Sequence, residues 1–338
     1  MHKVSDIGAD QEKGQTKEIQ RAELFGFQLD LTGPQLFALL TAGSLVSAIS
    51  FSALQEGAYR VPGFRFSGWM TELTMLTYCF CGFLEMIACR TFQRKGSIKD
   101  YLVLSALTMG GMYFTNWSLA YLNYTTRIVF KSSKVVPTMI FGTVVQGRRY
   151  TVGEYLAAAV LIVGISLFTL GDAQGYPAFH STGIGLITLG LVCDALTSNF
   201  EEKRFFRCVD PSSQAEVVMY ASFFGAIYGA VVLVWSGEWQ PALEHSIEQP
   251  MAPMLIITSA VMGYVSVVFV LSLINNFGAT NTEIVKSMRK VLSICISFIL
   301  FPKPFDWKYL LGMLACIISL VVTHMIKKQK MSHGGTSM

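Results

Sequence analysis

Two lysines lie in the middle of an apolar stretch of the chain, where a charged side chain is difficult to accommodate. Residues 126–146 read TRIVFKSSKVVPTMIFGTVVQ and include Lys131 and Lys134 on one helical face, with Pro137 three residues on. In a helix that begins near Thr125, Lys134 would lie roughly 14 Å from the helix start, near the middle of a ~30 Å hydrocarbon core. A cation there costs about 3 kcal/mol unless it is paired. Lys131 could extend to the membrane interface, but Lys134 is too deep, which indicates a functional site.

A second stretch repeats this pattern in the other half of the chain. Residues 280–301 read TNTEIVKSMRKVLSICISFILF, and a shift of 155 positions places KSSK (131–134) on KSMR (286–289). Glu56 and Glu202 form another pair, 146 positions apart, and each closes an apolar span. Two halves with matching charged helices are typical of an internally duplicated transporter with its site at the repeat interface.

The composition indicates a polytopic membrane protein. Hydrophobic residues make up 52% of the 338 and charged residues 14%, with a mean hydropathy of +0.47. The seven cysteines form no CxxC pair and the five histidines no cluster, so we expect no disulfide framework, no metal and no cofactor. The sequence has no P-loop, GxSxG or HExxH motif, so we expect that the protein is not an enzyme.

The spacing of apolar spans predicts ten transmembrane helices. Nine spans are the alternative, because two of the links are very short. Basic residues concentrate in alternate links, which places both termini in the cytosol. The predicted spans are 34–54, 67–89, 101–122, 125–146, 152–171, 181–199, 215–236, 251–275, 277–301 and 306–326.

The predicted fold class is therefore an all-α polytopic membrane protein with ten transmembrane helices in two inverted five-helix repeats. The repeats are expected at 31–171 and 172–326. Residues 1–30 are expected to form a polar cytosolic tail without a cleaved signal peptide, disordered until the FGFQLDL segment, and 327–338 a second cytosolic tail.

The buried cations predict an anionic ligand. Five cations in one water-free bundle would need anions to neutralise them. Glu283 lies one turn before Lys286 and could pair with that lysine or with Arg127. A polyanion that enters and leaves would neutralise the rest, with arginine clamping phosphate and lysine acting as a point charge. The five cations are Lys131, Lys134, Lys286, Arg289 and Lys290, and the neighbouring residues that could contact the remainder of the ligand are Tyr121, Asn123, Tyr124 and Tyr264.

The stretch SLAYLNYTTRIVFKSSKVVPTMIFGTVVQGRRYTVGEYLAAAVLIVGISLFTLGDA (118–173) closely resembles the nucleotide-sugar transporter family of the drug/metabolite transporter superfamily. The most similar branch contains the adenosine 3'-phosphate 5'-phosphosulfate transporters and related UDP-galactose/UDP-glucose carriers. LQE at 54–56, DALTSNFEEK at 194–203 and MRKVLSICISFILFPKPF at 288–305 support the resemblance, which extends from about residue 25 to 326.

The resemblance implies ten helices in two inverted repeats and exchange of a cytosolic activated nucleotide for a lumenal nucleoside monophosphate in the Golgi or endoplasmic reticulum. It also implies substrate-binding roles for Lys134 and for Arg289 with Lys290, and it matches Glu56 and Glu202 to the family's two "QE" positions. Arg127 and Lys286 stand where the family usually has uncharged residues. Two extra cations favour a ligand with an extra phosphate, which makes the phosphosulfate the preferred substrate.

Several alternatives stay open. A UDP-sugar/UMP antiporter would keep the same fold and site. From other classes, a membrane-embedded transferase would need carboxylate or metal-ligand constellations at a helix end, and a non-transporting scaffold would not need its cations. The expected partners are the nucleotide-linked anion, the nucleoside monophosphate and the lipid bilayer, with no nucleic acid; a homodimer is left open. We expect a multi-pass Golgi membrane protein, with the endoplasmic reticulum as the alternative.

Overall fold

The protein is a bundle of long helices preceded by one β-hairpin. The computed structural model describes residues 19–24, 27–89, 93–122, 124–132, 136–137, 139–140, 143, 151–175, 180–206, 212–300 and separate helical positions between 307 and 325. The helices are α1 (Gly33–Tyr59), α2 (Ser67–Ala88), α3 (Ile98–Trp117), α4 (Tyr124–Ser132), α5 (Val152–Gly175), α6 (Ser181–Glu201), α7 (Gln214–Ser236), α8 (Trp239–Glu248) and α9 (Met251–Leu300). A 3₁₀ turn, Ser118–Ala120, follows α3, and a π-helical turn, Glu202–Phe206, continues α6.

The hairpin corrects one prediction, that the chain is disordered up to the FGFQLDL segment. Strands β1 (Ile19–Leu24) and β2 (Phe27–Thr32) pair antiparallel, with Ile19 opposite Thr32 and Leu24 opposite Phe27. The segment FQLDLT alternates apolar and polar residues, the period of a strand. The prediction was wrong for Ile19–Leu24, because the charged residues of this segment were taken to indicate disorder, whereas pairing with β2 makes it a strand.

The residues around 276 correct a second prediction in part. We expected two spans, 251–275 and 277–301, with a break between them, but the backbone is helical throughout Met251–Leu300. Arg289 nevertheless donates from Nη1 to Ser266 Oγ at 2.8 Å, although 23 residues of straight helix would separate these positions by about 35 Å. Helix α9 therefore folds back on itself between Ser266 and Arg289, and its two arms correspond to the two predicted spans.

Four of the described helices are long and apolar enough to cross a membrane. They are Gly33–Tyr59, Ser181–Phe206, Gln214–Ser236 and Met251–Leu273. The protein is thus a helical polytopic membrane protein, while ten helices and inverted repeats stay predictions. Helix α5 exposes apolar side chains over residues 152–163, among them Val152, Leu156 and Val163, as expected of a surface that faces lipid rather than water.

The main helix contacts join the two predicted halves of the chain. Helix α1 packs on α9, α2 on α7, and α3 on both α6 and α7. At the crossing of α3 and α6, a Cβ added to Gly190 would lie 3.1 Å from the carbonyl oxygen of Gly111 and 2.6 Å from Thr115 Oγ1. The two backbones therefore approach closely only because position 190 has no side chain.

We expect Gly190→Ala to lower the melting temperature of the purified protein in detergent. The added methyl group meets backbone atoms that cannot move away, and overpacking of this kind costs about 1–3 kcal/mol, more than the roughly 1 kcal/mol that alanine gains over glycine in a helix. Gly185→Ala is the matched control on the same helix, because a Cβ there would have no neighbour within 4 Å. Equal melting temperatures for the two variants would contradict this packing.

Candidate substrate-binding site

Helix α4 carries the first described cations of the predicted site. Arg127 and Lys131 lie four residues apart on Tyr124–Ser132, on one face of the helix. Arg127 is only 4% exposed, and Lys131 is half-buried. Two residues predicted for this site, Lys134 and Asn123, lie outside the described residues.

Two neutral side chains from other helices hold the Arg127 guanidinium. Nη1 donates to Gln55 Oε1 of α1 at 3.1 Å, and Nη2 donates to Asn116 Oδ1 of α3 at 2.9 Å. Tyr124, one turn earlier on α4, donates its hydroxyl to the same Gln55 oxygen at 3.0 Å, and its ring centroid lies 5.5 Å from Arg127 Cζ. Glu283 was a predicted partner for this arginine, but its side chain lies outside the described residues.

The hydrogen bonds continue from Asn116 to a fourth helix. Asn116 Nδ2 donates to Thr71 Oγ1 of α2 at 2.9 Å, and Thr71 Oγ1 donates to the carbonyl oxygen of Ser67 at 2.8 Å. The Asn116 carbonyl oxygen also accepts from the Tyr59 hydroxyl of α1 at 3.1 Å. One polar network, here called the Arg127 network, thus joins α1, α2, α3 and α4 inside the bundle. Its members are Gln55, Tyr59, Thr71, Asn116, Tyr124 and Arg127.

Two acidic residues were predicted for the site, Glu56 and Glu202. Glu56 is 3% exposed and forms an ion pair with Arg60, with 3.4 Å between Oε1 and Nη2. Arg60 lies one turn later, at the C-cap of α1, and half of its side chain is exposed. Glu202 begins the π-helical turn Glu202–Phe206, and its side chain lies outside the described residues.

A second polar group lies between α2 and the two arms of α9. Arg289, on the second arm, binds Ser266 of the first arm. Tyr264, two residues before this serine, donates its hydroxyl to Glu85 Oε2 of α2. The Tyr264 ring packs edge-on against Tyr78 of α2 at 6.0 Å between centroids. Arg289 thus contacts the first arm of α9 two residues from Tyr264, and the described hydrogen bonds of these two predicted residues have different partners.

The remaining predicted residues have less described geometry. Lys286 is half-buried on the second arm of α9, three residues before Arg289. Lys290 lies on the same helix, but its side chain is outside the described residues. Tyr121 contacts His180, the residue just before α6. Its backbone carbonyl oxygen accepts from His180 N at 3.2 Å, and the centroids of the Tyr121 and His180 rings lie 5.9 Å apart. Its described contacts involve neither polar group.

Sequence reasoning missed most of the Arg127 network and three members of the second group, Tyr78, Glu85 and Ser266. One signal was available, namely polar residues at one-turn spacing inside apolar spans. Gln55 with Tyr59 and Tyr124 with Arg127 both follow it. Asn116 and Thr71 gave no such signal, because a single polar residue in a membrane helix does not indicate its partner.

A third set of contacts joins the α1–α2 link to the α7–α9 region. Glu238 Oε1, between α7 and α8, accepts from Gly68 N at 3.0 Å and Trp69 N at 3.5 Å, at the start of α2. Burial raises the pKa of the Glu238 carboxyl, and these two backbone donors oppose that rise. A Cβ on Gly68 would lie 2.6 Å from Glu238 Oε2, so this close contact needs glycine.

Two further hydrogen bonds complete this set, which we call the linker contacts. Trp69 Nε1 donates to Ser246 Oγ of α8 at 2.9 Å, and His245 Nε2 lies 3.0 Å from the Pro62 carbonyl oxygen and donates to it. A buried apolar cluster lies beneath them and includes Ala58, Leu233 and Ile256. Both connecting regions are predicted to face the lumen.

The family model for the UAA transporter family matches residues 36–327, nearly all of the chain. The chain belongs to the UAA transporter family. As a member of a transporter family it is a transporter rather than an enzyme, as the sequence analysis predicted. The family also confirms the resemblance to nucleotide-sugar transporters.

Curated relatives cover most of this UAA transporter. The chain is 33% identical to adenosine 3'-phospho 5'-phosphosulfate transporter 2 of Drosophila pseudoobscura pseudoobscura, over 88% of this chain and 79% of the relative. The Homo sapiens protein of the same name is 33% identical over 84% of this chain and 71% of its own length. The Caenorhabditis elegans protein is 32% identical over 87% and 81%, respectively.

A solved crystal structure supports the fold. It superposes with a TM-score of 0.50 at 15% sequence identity and covers 85% of this chain and 98% of its own. At that identity the similarity is informative about the fold alone.

We expect Asn116→Leu to destabilise the protein more than the double variant Asn116→Leu/Arg127→Leu. The single substitution leaves the Arg127 guanidinium without one of its two described partners, and a hydrogen bond to a charged group is worth about 1.5–3 kcal/mol. Removing both polar groups abolishes the unpaired donor and should restore part of that loss. Thermal unfolding in detergent measures Asn116→Leu, Arg127→Leu and the double variant. A double variant that is less stable than the wild type by the full sum of the two single effects would contradict the pairing.

Proposed function

We propose that the protein is an antiporter that exchanges cytosolic adenosine 3'-phospho 5'-phosphosulfate for a lumenal nucleoside monophosphate across the Golgi membrane, or alternatively that of the endoplasmic reticulum. The observation that carries this proposal is the similarity, at 33% identity over most of the chain, to proteins named as transporters of this phosphosulfate. Both termini would face the cytosol.

The positions of the described cations support an anionic substrate. Lys131 on α4 belongs to the first predicted half, and Lys286 and Arg289 on the second arm of α9 belong to the second half. Arg289 uses Nη1 to bind the neutral Ser266 hydroxyl, which fixes the direction of the guanidinium without neutralising its charge. An arginine held in this way can present its remaining N–H groups to a phosphate or sulfate.

In this mechanism the phosphates bind Lys134, Arg289 and Lys290, and Lys131 and Lys286 lie around them. Tyr124 and Tyr264 do not contact the nucleotide in this mechanism. They position the helices that carry the cations, since each donates its hydroxyl to a side chain of another helix. An anion that neutralises the cations lowers the free energy of the occluded state. Return without an anion would take place without the ligand charge that the site binds, which favours obligate exchange.

The linker contacts would act as the gate on the lumenal side. They join residues of the two predicted halves at one end of the bundle, through Glu238 with Gly68 and Trp69, and through Ser246 with Trp69. Rocking of the halves in alternating access must separate groups at that end. Short polar contacts above an apolar cluster suit this task, because water replaces each hydrogen bond when the contacts separate.

Counter-transport in proteoliposomes tests the proposed function. Vesicles preloaded with AMP, UMP or adenosine 3',5'-bisphosphate are offered labelled adenosine 3'-phospho 5'-phosphosulfate or UDP-sugars. We expect uptake of the phosphosulfate that depends on an internal adenine nucleotide. Uptake of a UDP-sugar driven by UMP would show that the substrate is a UDP-sugar and would leave the exchange mechanism standing. No exchange of any nucleotide would favour the scaffold alternative.

We expect Arg289→Ala to reduce exchange at least a hundredfold while the protein still inserts into the membrane, because the substrate loses a charged bidentate donor. The matched control is Arg204→Ala, because Arg204 is an arginine outside the proposed site. Its side chain is 56% exposed, and its Nε lies 3.8 Å from Asp100 Oδ1. Exchange is measured in the same proteoliposomes, normalised to reconstituted protein. Normal uptake by Arg289→Ala would be incompatible with an anion site at this arginine.

We expect Glu238→Gln to open the lumenal end more often, because a neutral amide accepts the two backbone N–H groups at the start of α2 less strongly than a carboxylate does. In a cysteine-free background, Ala58→Cys reports this opening, since Ala58 is buried in the cluster beneath the linker contacts. The introduced cysteine should react with an impermeant maleimide several-fold faster when Glu238→Gln is also present than when it is absent. Glu244→Gln, at an exposed position of α8, is the control, and equal rates in the two variants would refute the gate.

A further inference from the structure

We infer that Arg127 is a positioning residue that fixes the orientation of α4, and with it Lys131, rather than a ligand of the transported anion. The inference rests on the proposed function, because it concerns how the cations of that site are held. It also replaces the expectation that Arg127 supplies an extra charge for an extra phosphate.

The first argument is that the guanidinium is already engaged inside the protein. Arg127 is 4% exposed, as is Gln55, and Asn116 is 1% exposed. Its two terminal nitrogens bind the carboxamide oxygens of Gln55 and Asn116 at 3.1 and 2.9 Å. Turning the guanidinium towards a ligand would remove the charged donor from both oxygens. Gln55 Oε1 would keep the Tyr124 hydroxyl, but Asn116 Oδ1 would lose its described donor, and leaving a buried acceptor unsatisfied is unfavourable.

The second argument is the shape of the contact. The two oxygens lie on different helices, α1 and α3, and the planar fork of an arginine binds both at once with fixed geometry. Asn116 is fixed in turn by Thr71 Oγ1 of α2, to which its Nδ2 donates at 2.9 Å. Every described polar contact of Arg127 therefore holds α4 against its neighbours.

The third argument is that the rotation of α4 about its axis depends on these contacts. Tyr124 and Arg127 both donate to Gln55 Oε1, which fixes the rotation of α4 about its axis. Lys131 lies one turn after Arg127 on the same face, so this rotation decides where Lys131 is directed.

A double-mutant cycle for transport separates the three roles that Arg127 can have. Arg127→Gln, Lys131→Gln and the double variant are reconstituted, and the KM for labelled phosphosulfate is measured on monodisperse protein. We expect Arg127→Gln to raise KM about tenfold in the wild-type background and less than twofold in the Lys131→Gln background, because a residue that acts through Lys131 has no effect without it. If the two substitutions raise KM by factors that multiply in the double variant, Arg127 binds the substrate directly and the inference is overturned. An unchanged KM of Arg127→Gln with a lowered melting temperature would also overturn it.

Arg127→Lys removes any ambiguity between charge and geometry. Lysine keeps the positive charge but cannot bridge the two carboxamide oxygens with a planar fork. We expect its KM to resemble that of Arg127→Gln. A wild-type KM would show that charge alone matters and would overturn the inference.

Hydrogen exchange of α4 gives a readout that needs no transport. In Arg127→Gln we expect the amides of residues 128–132 to exchange at least fivefold faster than in the wild type, while those of α7 stay unchanged. Unchanged protection of α4 would overturn the inference. If the wild-type protein exchanges no nucleotide, the proposed function fails, and the α4 exchange still decides whether Arg127 fixes this helix.

Discussion

The structure depends on the cost of placing polar and charged groups where no water can reach them. In a membrane helix every such group needs a partner from the protein or from a ligand. Arg127 meets this requirement at its two terminal nitrogens through two carboxamide oxygens, while its buried Nε has no hydrogen-bond partner among the described residues. Glu56 meets it through Arg60. The bundle is therefore held together at its interior by hydrogen bonds between helices, in addition to apolar packing.

These interior contacts have a consequence for transport. The Arg127 network ties four helices of the first predicted half to one another, so this half can move as one body. The second group joins α2 to the first arm of α9 through Glu85 and Tyr264, and thus connects the two predicted halves, while Arg289 joins the second arm to the first. Alternating access would then consist of rearrangement at the contacts between the halves, while the network inside the first half stays intact.

Much of this could be predicted from the sequence. The membrane class followed from composition, and the two arms of α9 from two adjacent apolar spans. Strand β1 was missed because its charged residues were taken to indicate disorder. The partners of Arg127 were missed because they come from two other helices, and the spacing of residues along one helix does not indicate which neighbour it faces. The roles of Tyr124 and Tyr264 depend on the same three-dimensional contacts.

The central claim is that buried cations of the two halves bind a nucleotide polyanion, and ligand-dependent thermal unfolding of the detergent-solubilised protein tests it most directly. A ligand that binds only the folded state raises the melting temperature with its concentration. The account predicts that adenosine 3',5'-bisphosphate raises the melting temperature by several degrees, that adenosine does not, and that the rise persists in 0.15 M salt because buried charges are weakly screened. An equal rise with adenosine, or no rise with any phosphorylated nucleotide, would contradict it.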